Sequence, residues 1–150
     1  MSAVANGTAS AATQPIRAAR CFQVDIPSVT IGVFASCTGL QVEYEVLEYA
    51  EGGENGFVHK LRGATRYANL VLSRGVTTET GLLDWLFDFQ DLGKRPTVTI
   101  SLLDEQMNAV RSWGFSCAFP VRWSGPTLAE EAAEVATETL EIGHTGLVRP

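Results

Sequence analysis

The stretch Thr38–Gly75, TGLQVEYEVLEYAEGGENGFVHKLRGATRYANLVLSRG, decides how this chain is read. Its first arm alternates. Leu40, Val42, Tyr44 and Val46 fall on one face, and Gln41, Glu43 and Glu45 on the other. That is the period of a half-buried strand. The phase then slips, because Leu47 and Tyr49 are apolar and Glu48 is not. A β-bulge near Val46–Leu47 is the simplest account of the slip. Ala50–Gly56 (AEGGENG) follows, with three glycines, two glutamates and no apolar side chain to bury. It reads as a sharp acidic turn, since glycine and asparagine tolerate positive φ. A second strand pattern resumes over Tyr67–Arg74.

On the N-terminal side, residues 1–20 are small and polar with little pattern, which predicts a flexible tail. Phe22, Val24 and Ile26 then alternate with Gln23 and Asp25, Pro27–Ser28 turns the chain, and residues 30–37 form another strand pattern. On the C-terminal side the period changes. Leu82, Trp85, Leu86 and Phe89 recur at i, i+3, i+4 and i+7, one face of a helix over about 78–92. Thr77 or Thr78 suits its cap, Gly93 its stop, and Pro96 forbids its continuation. Val98, Ile100 and Leu102 alternate with Thr97, Thr99 and Ser101. Trp113, Phe115, Cys117, Phe119, Val121 and Trp123 occupy every second position of one long strand, in which Pro120 requires an edge, a bulge or a bend. A last strand over 135–142 puts Thr137, Thr139 and Glu141 on one face. The reading is a single mainly β domain over 21–150, mostly antiparallel, with one packed helix.

Composition narrows the function. A net charge of −6 argues against a protein that grips the outside of DNA. No apolar run approaches the roughly 18 residues a membrane helix needs, and the N-terminus lacks the apolar core of a secretion signal. Three widely spaced cysteines, Cys21, Cys37 and Cys117, fit neither a disulfide framework nor a zinc site. They read as buried reduced thiols, which suits assembly in a reducing cytoplasm. His59 and His144 have no partner at metal spacing, and no Gly-x-Ser-x-Gly elbow occurs. The Gly-rich loop lacks the Lys-Ser/Thr of a phosphate loop and the ligand spacing of an EF-hand. Carboxylates alternating along a strand are more often a solvated face than a catalytic pair. No catalytic residue, cofactor or metal is expected.

The order of several residues resembles that of a known family. Gly39-Leu40, Glu48-Tyr49, Glu51-Gly52-Gly53, Asn55, Lys60-Leu61, Gly63, Tyr67, Asn69-Leu70, Leu72 and Arg74-Gly75 are followed by Trp85, Phe119-Pro120, Trp123 and Gly125-Pro126. Glu138-Thr139-Leu140-Glu141, His144 and Gly146-Leu147 close the series. Taken together, the string is similar to the tail tube proteins of contractile phages and the inner tube proteins of phage-like contractile injection systems.

The resemblance implies a β-sandwich or barrel whose subunits join as a hexameric ring. Rings would stack into a hollow rigid conduit, driven through a target envelope by sheath contraction. The implied partners are further copies of the chain, a sheath protein, baseplate and tube-initiator proteins, and a tube terminator or cap. Cargo protein or DNA would occupy the lumen, and no membrane anchor is involved. The loop Glu51, Gly52, Gly53, Glu54, Asn55 and Gly56 becomes the inter-ring or inter-subunit contact, its glutamates meeting Arg62, Arg66 or Arg74 of a neighbour. Gln41, Glu43, Glu45, Thr137 and Thr139 are the candidates to face the lumen. Two other readings stay open. One is a baseplate adaptor or tube initiator of the same fold, making one or two rings. The other is a monomeric β-barrel binding an apolar ligand between Trp113, Phe115 and Phe119.

Overall fold

A computed structural model describes residues 21–27, 29–53, 56–130 and 134–150, so the tail expected over 1–20 lies outside the described residues. Two antiparallel sheets face each other across one core. The first contains β1 (Cys21–Ile26), β2 (Val29–Phe34), β7 (Val98–Leu103), β8 (Ala109–Ser116) and β11 (Gly146–Val148), in the order β11-β8-β7-β1-β2. The second contains β3 (Ser36–Thr38), β6 (Leu70–Gly75), β9 (Phe119–Ser124) and β10 (Thr137–Gly143), in the order β3-β6-β10-β9. The remaining strands, β4 (Val42–Tyr49) and β5 (His59–Tyr67), pair only with each other.

Alternation explains the sandwich. Val24, Ile31, Phe34, Val98, Ile100 and Phe115 point inward from the first sheet, and Leu70, Leu72, Leu140 and Ile142 from the second. The chain changes sheet at two corners. Ala35 donates its N–H to the Ser73 carbonyl at 2.9 Å as β2 gives way to β3. Buried Ala118 donates to the Pro96 carbonyl at 2.9 Å between β8 and β9. The long strand expected through Trp113–Trp123 is therefore two strands in two sheets. The corner is two residues long, so parity survives it and the alternation conceals it. Pro120 does lie on an edge strand, opposite a register irregularity at Glu141/Ile142.

The helix α1 (Gly81–Leu92) buries Leu82 and Trp85 against the core and is stopped by Gly93 at φ 62. It begins later than the Thr77 or Thr78 cap implies. Thr77 Oγ1 instead accepts the Glu79 N–H at 3.3 Å, which holds a turn before the helix, and Thr80 is the N-cap.

One end of the core is polar. Arg74 Nε donates to Glu138 Oε1 at 2.6 Å, and Trp123 Nε1 donates to Glu138 Oε2 at 3.1 Å. The Arg74 guanidinium lies 4.8 Å from the Phe34 ring centroid and 3.6 Å from Glu79 Oε2. Gly32 makes room for it, since a Cβ there would stand 2.2 Å from Arg74 Nη1. Arg74 is thus occupied inside its own subunit and is no partner for a neighbour's glutamate. The cysteines are also not alike. Cys37 is half-buried, with burial pushing its thiol up to about 11. Cys21 is half-buried too, whereas Cys117 is exposed at the β8–β9 corner, contrary to the buried thiol expected.

Candidate functional site

The feature that sets this molecule apart from a plain sandwich is the β4–β5 hairpin. The acidic turn was expected to lead straight to a strand over Tyr67–Arg74. Instead the returning arm is His59–Tyr67, and Leu70–Gly75 belongs to the second sheet. The sequence HKLRGATRY hides this arm because no apolar alternation runs through it. Tyr44 pairs with Thr65 and Val46 with Arg62, so Gly63 and Ala64 together oppose Glu45. The bulge is one residue from the expected place, and its extra residue is on β5 rather than β4.

The hairpin is rooted by residues far apart in sequence. Tyr67 packs against the His144 ring, centroids 5.6 Å apart, and His144 against Phe115 at 4.7 Å. A Cβ at Gly146 would stand 3.2 Å from the Tyr67 hydroxyl, so any larger residue there displaces the tyrosine by a few tenths of an ångström. His144 Nε2 donates to the Ala68 carbonyl at 3.0 Å, which leaves Nδ1 as a buried lone pair without a partner. Burial lowers the His144 pKa below its ordinary value, and the Ala68 hydrogen bond partly opposes that. Asn69 Nδ2 donates to Glu141 Oε1 at 2.8 Å and ties the same joint to β10. His144, of which the sequence shows only that it has no partner at metal spacing, is a joint.

Beyond this root the arm stands clear of the sandwich. Tyr44 is 52% exposed, Val46 57%, Leu47 50%, Tyr49 54% and Leu61 54%, whereas eleven large side chains in the body are wholly buried. Ordered apolar side chains left in water along a strand ladder mark a surface made to be covered. In the turn, Glu51 lies 3.9 Å from His59, and Glu51, Gly52, Gly53 and Gly56 are exposed. Glu54 and Asn55 lie outside the described residues.

The lumen candidates fall in two places. Thr137 and Thr139 lie on the outer face of the second sheet, opposite Gly75 and Ser73, with Ser124 on the other side of Thr139. Glu43 and Glu45 lie on the hairpin, where Glu45 meets Arg66 at 3.8 Å, and Gln41 is exposed just before β4. The aromatic trio of the ligand-binding reading is not brought together. Trp113 and Phe115 border a hollow of about 90 Å³ with Leu40, Val42 and Leu147, while Phe119 stacks on Phe89 at 5.9 Å under Arg95. Ligand pockets usually hold roughly 300–1,000 Å³. Among the described residues, no group of three His, Cys, Asp or Glu side chains is placed to hold a metal, and no helix is long and apolar enough to cross a membrane.

A sandwich with a projecting two-stranded arm whose apolar side chains are half exposed is a structural subunit suited to joining others. The chain belongs to the T4-like virus tail tube protein gp19 family, which matches residues 19–148. It is similar to a chain of the anti-feeding prophage tube terminating cap, with 25% identity and a TM-score of 0.72 over 97% of each chain. A chain of the PVC extracellular contractile injection system sheath–tube complex in its extended state has 27% identity and a TM-score of 0.72, covering 91% of this chain and 92% of that one. A chain of the six-fold symmetrised anti-feeding prophage baseplate has 27% identity and a TM-score of 0.69, covering 91% and 95%. No curated protein sequence matches the chain. The family and these likenesses make it a tail tube structural subunit.

Proposed function

We propose that this chain is the repeating subunit of the inner tube of a contractile phage tail or injection particle, six copies to a ring. The carrying observation is the β4–β5 arm, whose apolar side chains are about half exposed among the described residues. Rings stack through the turn Glu51, Gly52, Gly53, Glu54, Asn55 and Gly56. Gln41, Glu43, Glu45, Thr137 and Thr139 supply a polar, partly acidic wall to the channel, so that DNA or protein cargo meets no strong attraction. Residues 21–150 act as one tube domain, and the segment 1–20 is an appended tail. Sheath, baseplate, initiator and terminator proteins are the partners, as the sheath–tube, baseplate and cap assemblies of its relatives support. Assembly takes place in the bacterial cytoplasm. The work is mechanical, a rigid rod carried forward by a shortening sheath, and no reaction is assigned to it.

Negative-stain electron microscopy with light scattering tests this reading, on the purified chain and on the chain co-expressed with sheath and baseplate proteins. Six-fold rings or stacked hollow rods are expected. One or two rings and no rod point to the initiator role, and a strict monomer under both conditions sinks the tube. The turn is tested separately. Gly52→Val with Gly53→Val, the latter at φ 126, leaves the sandwich folded and abolishes polymerisation. Rods of normal length from that variant remove the turn from the contact.

A further inference from the structure

The two halves of the hairpin present their apolar side chains on opposite faces. β4 alternates without interruption, so Val42, Tyr44, Val46 and Glu48 share a first face, and Glu43, Glu45, Leu47 and Tyr49 a second. On β5 the bulge at Gly63–Ala64 exchanges faces. Near the root, Tyr67 and Thr65 accompany Val42 and Tyr44. Past the bulge, Arg62 and Lys60 take that face: the Arg62 guanidinium lies 4.6 Å from the Tyr44 ring centroid and donates to Thr65 Oγ1 at 3.2 Å. On the second face, Arg66 meets Glu45 near the root, and Leu61 meets Leu47 further out. The first face is therefore apolar at the root and charged at the tip, and the second face is the reverse.

We propose that the arm is gripped on its two sides by two different copies of this chain, a neighbour in its own ring on the first face and a copy in the next ring on the second. This rests on the tube reading and deepens it. A single flat partner surface covers one face of a two-stranded ladder and leaves the other apolar patch in water. The first-face stripe begins inside the subunit, where Tyr67 packs on His144 and Val42 borders the hollow with Trp113 and Phe115. It runs out over Tyr44 and Val46, so the copy that continues it lies beside the body. The second-face patch of Leu47, Tyr49 and Leu61 occupies the outer half of a strand about 27 Å long, where a copy further along the tube meets it.

Charge selects the occupant of the first face. A hollow of about 320 Å³ is lined by Tyr44, Glu45, Val46, Lys60, Leu61 and Arg62, and its one carboxylate, Glu45, pairs with Arg66. Glu48 faces Lys60 across the ladder, yet neither Lys60 nor Arg62 has a carboxylate within 4.0 Å among the described residues. Such a hollow takes an apolar side chain flanked by a carboxylate. A chain of net charge −6 offers carboxylates in excess, so a second copy of itself fits. The contact joins unlike surfaces, the kind that generates rings and stacked helical tubes.

Val46 and Leu47 are sequence neighbours with similar exposure and opposite faces, which makes Val46→Glu and Leu47→Glu a matched pair. Each is co-expressed with sheath and baseplate proteins beside the wild type and examined by electron microscopy, with circular dichroism to follow melting. Both variants are expected to melt within about 3 °C of wild type. Val46→Glu is expected to leave single subunits, and Leu47→Glu to close rings that fail to stack. Should either unfold, Tyr44→Lys and Tyr49→Lys repeat the comparison at a second position on each face. Arrest of both faces at the same stage, or full-length rods from either, overturns the proposal alone. Absence of rings from wild type overturns the tube reading with it.

Discussion

The sandwich and the hairpin contain the same kinds of residue and treat them oppositely. In the sandwich, Leu140 and Ile142 of β10 are wholly buried, and even Arg74 and Glu138 are drawn inside and paired. In the hairpin, Leu47 and Leu61 sit opposite each other in a regular ladder and remain half in water. Burial thus follows from what a strand has beside it and not from the strand's composition. An isolated two-stranded hairpin is marginal in water. This one keeps its shape through its rooted base, the Arg62–Tyr44 stack and the Arg66–Glu45 pair. In the proposed tube its remaining stabilisation comes from other copies. Three changes, one in the body, one at the joint and one on the arm, test that contrast in descending order of their effect on the free subunit.

The largest effect belongs to the body. Glu138→Ala leaves the Arg74 guanidinium buried without its carboxylate and deprives Trp123 Nε1 of its acceptor. Removing one member of a buried pair destabilises by about 3–5 kcal/mol. Denaturant unfolding is the measurement. A change no larger than that of a surface glutamate shows that the polar end of the core is open to water and that body and arm differ little.

Much of the body was legible in sequence because its signals are local. The helix stripe of Leu82, Trp85, Leu86 and Phe89, its Gly93 stop and the alternation of β7 each lie within one element. The misses have specific physical causes. The β8–β9 corner kept the parity of the alternation, so two strands looked like one. β5 was invisible because Lys60, Arg62, Thr65 and Arg66 give it no apolar face, its apolar surface being exchanged at the bulge and shared with β4. Arg74 stood beside Arg62 and Arg66 as a candidate partner for a neighbour's glutamates, because no local pattern shows that a glycine across the core, Gly32, makes a notch for it. The joint of Tyr67, His144 and Gly146 joins residues more than seventy positions apart. Only the family order placed all three in one list, and it did not say that they touch.

The joint gives the intermediate effect, and its sign is fixed by His144. The folded state holds this imidazole below its ordinary value of 6.5, chiefly through burial. The unfolded chain then binds the proton more readily, so stability contributed here is present above that ordinary value and is lost as pH falls below it. Protonation also places a second N–H at Nδ1, which has no acceptor. Melting temperature is expected to fall more between pH 7 and pH 5 for the wild type than for His144→Phe. Parallel curves for the two proteins rule out the histidine as the acid-sensitive element of the joint.

The smallest effect on the free subunit is expected on the arm, and there stability and assembly separate. Leu61 is half exposed and has Leu47 as its cross-strand partner. Leu61→Ala removes part of one such pair, about 0.2–1 kcal/mol, and the subunit melts almost as before. In the proposed tube the same side chain is covered by another copy. Full burial of a leucine contributes about 1.5–3 kcal/mol, and the half still exposed in the subunit about half of that. That loss recurs at every subunit and weakens each contact by about tenfold per 1.4 kcal/mol. Rod formation is therefore expected to require a subunit concentration roughly three- to tenfold above that of wild type, read by sedimentation of rods across a dilution series. An unchanged threshold, with the monomer as stable as wild type, means that nothing covers Leu61 in the tube. A threshold that rises only together with a marked fall in melting temperature means that the arm is held by the body after all, and the difference between the two regions disappears.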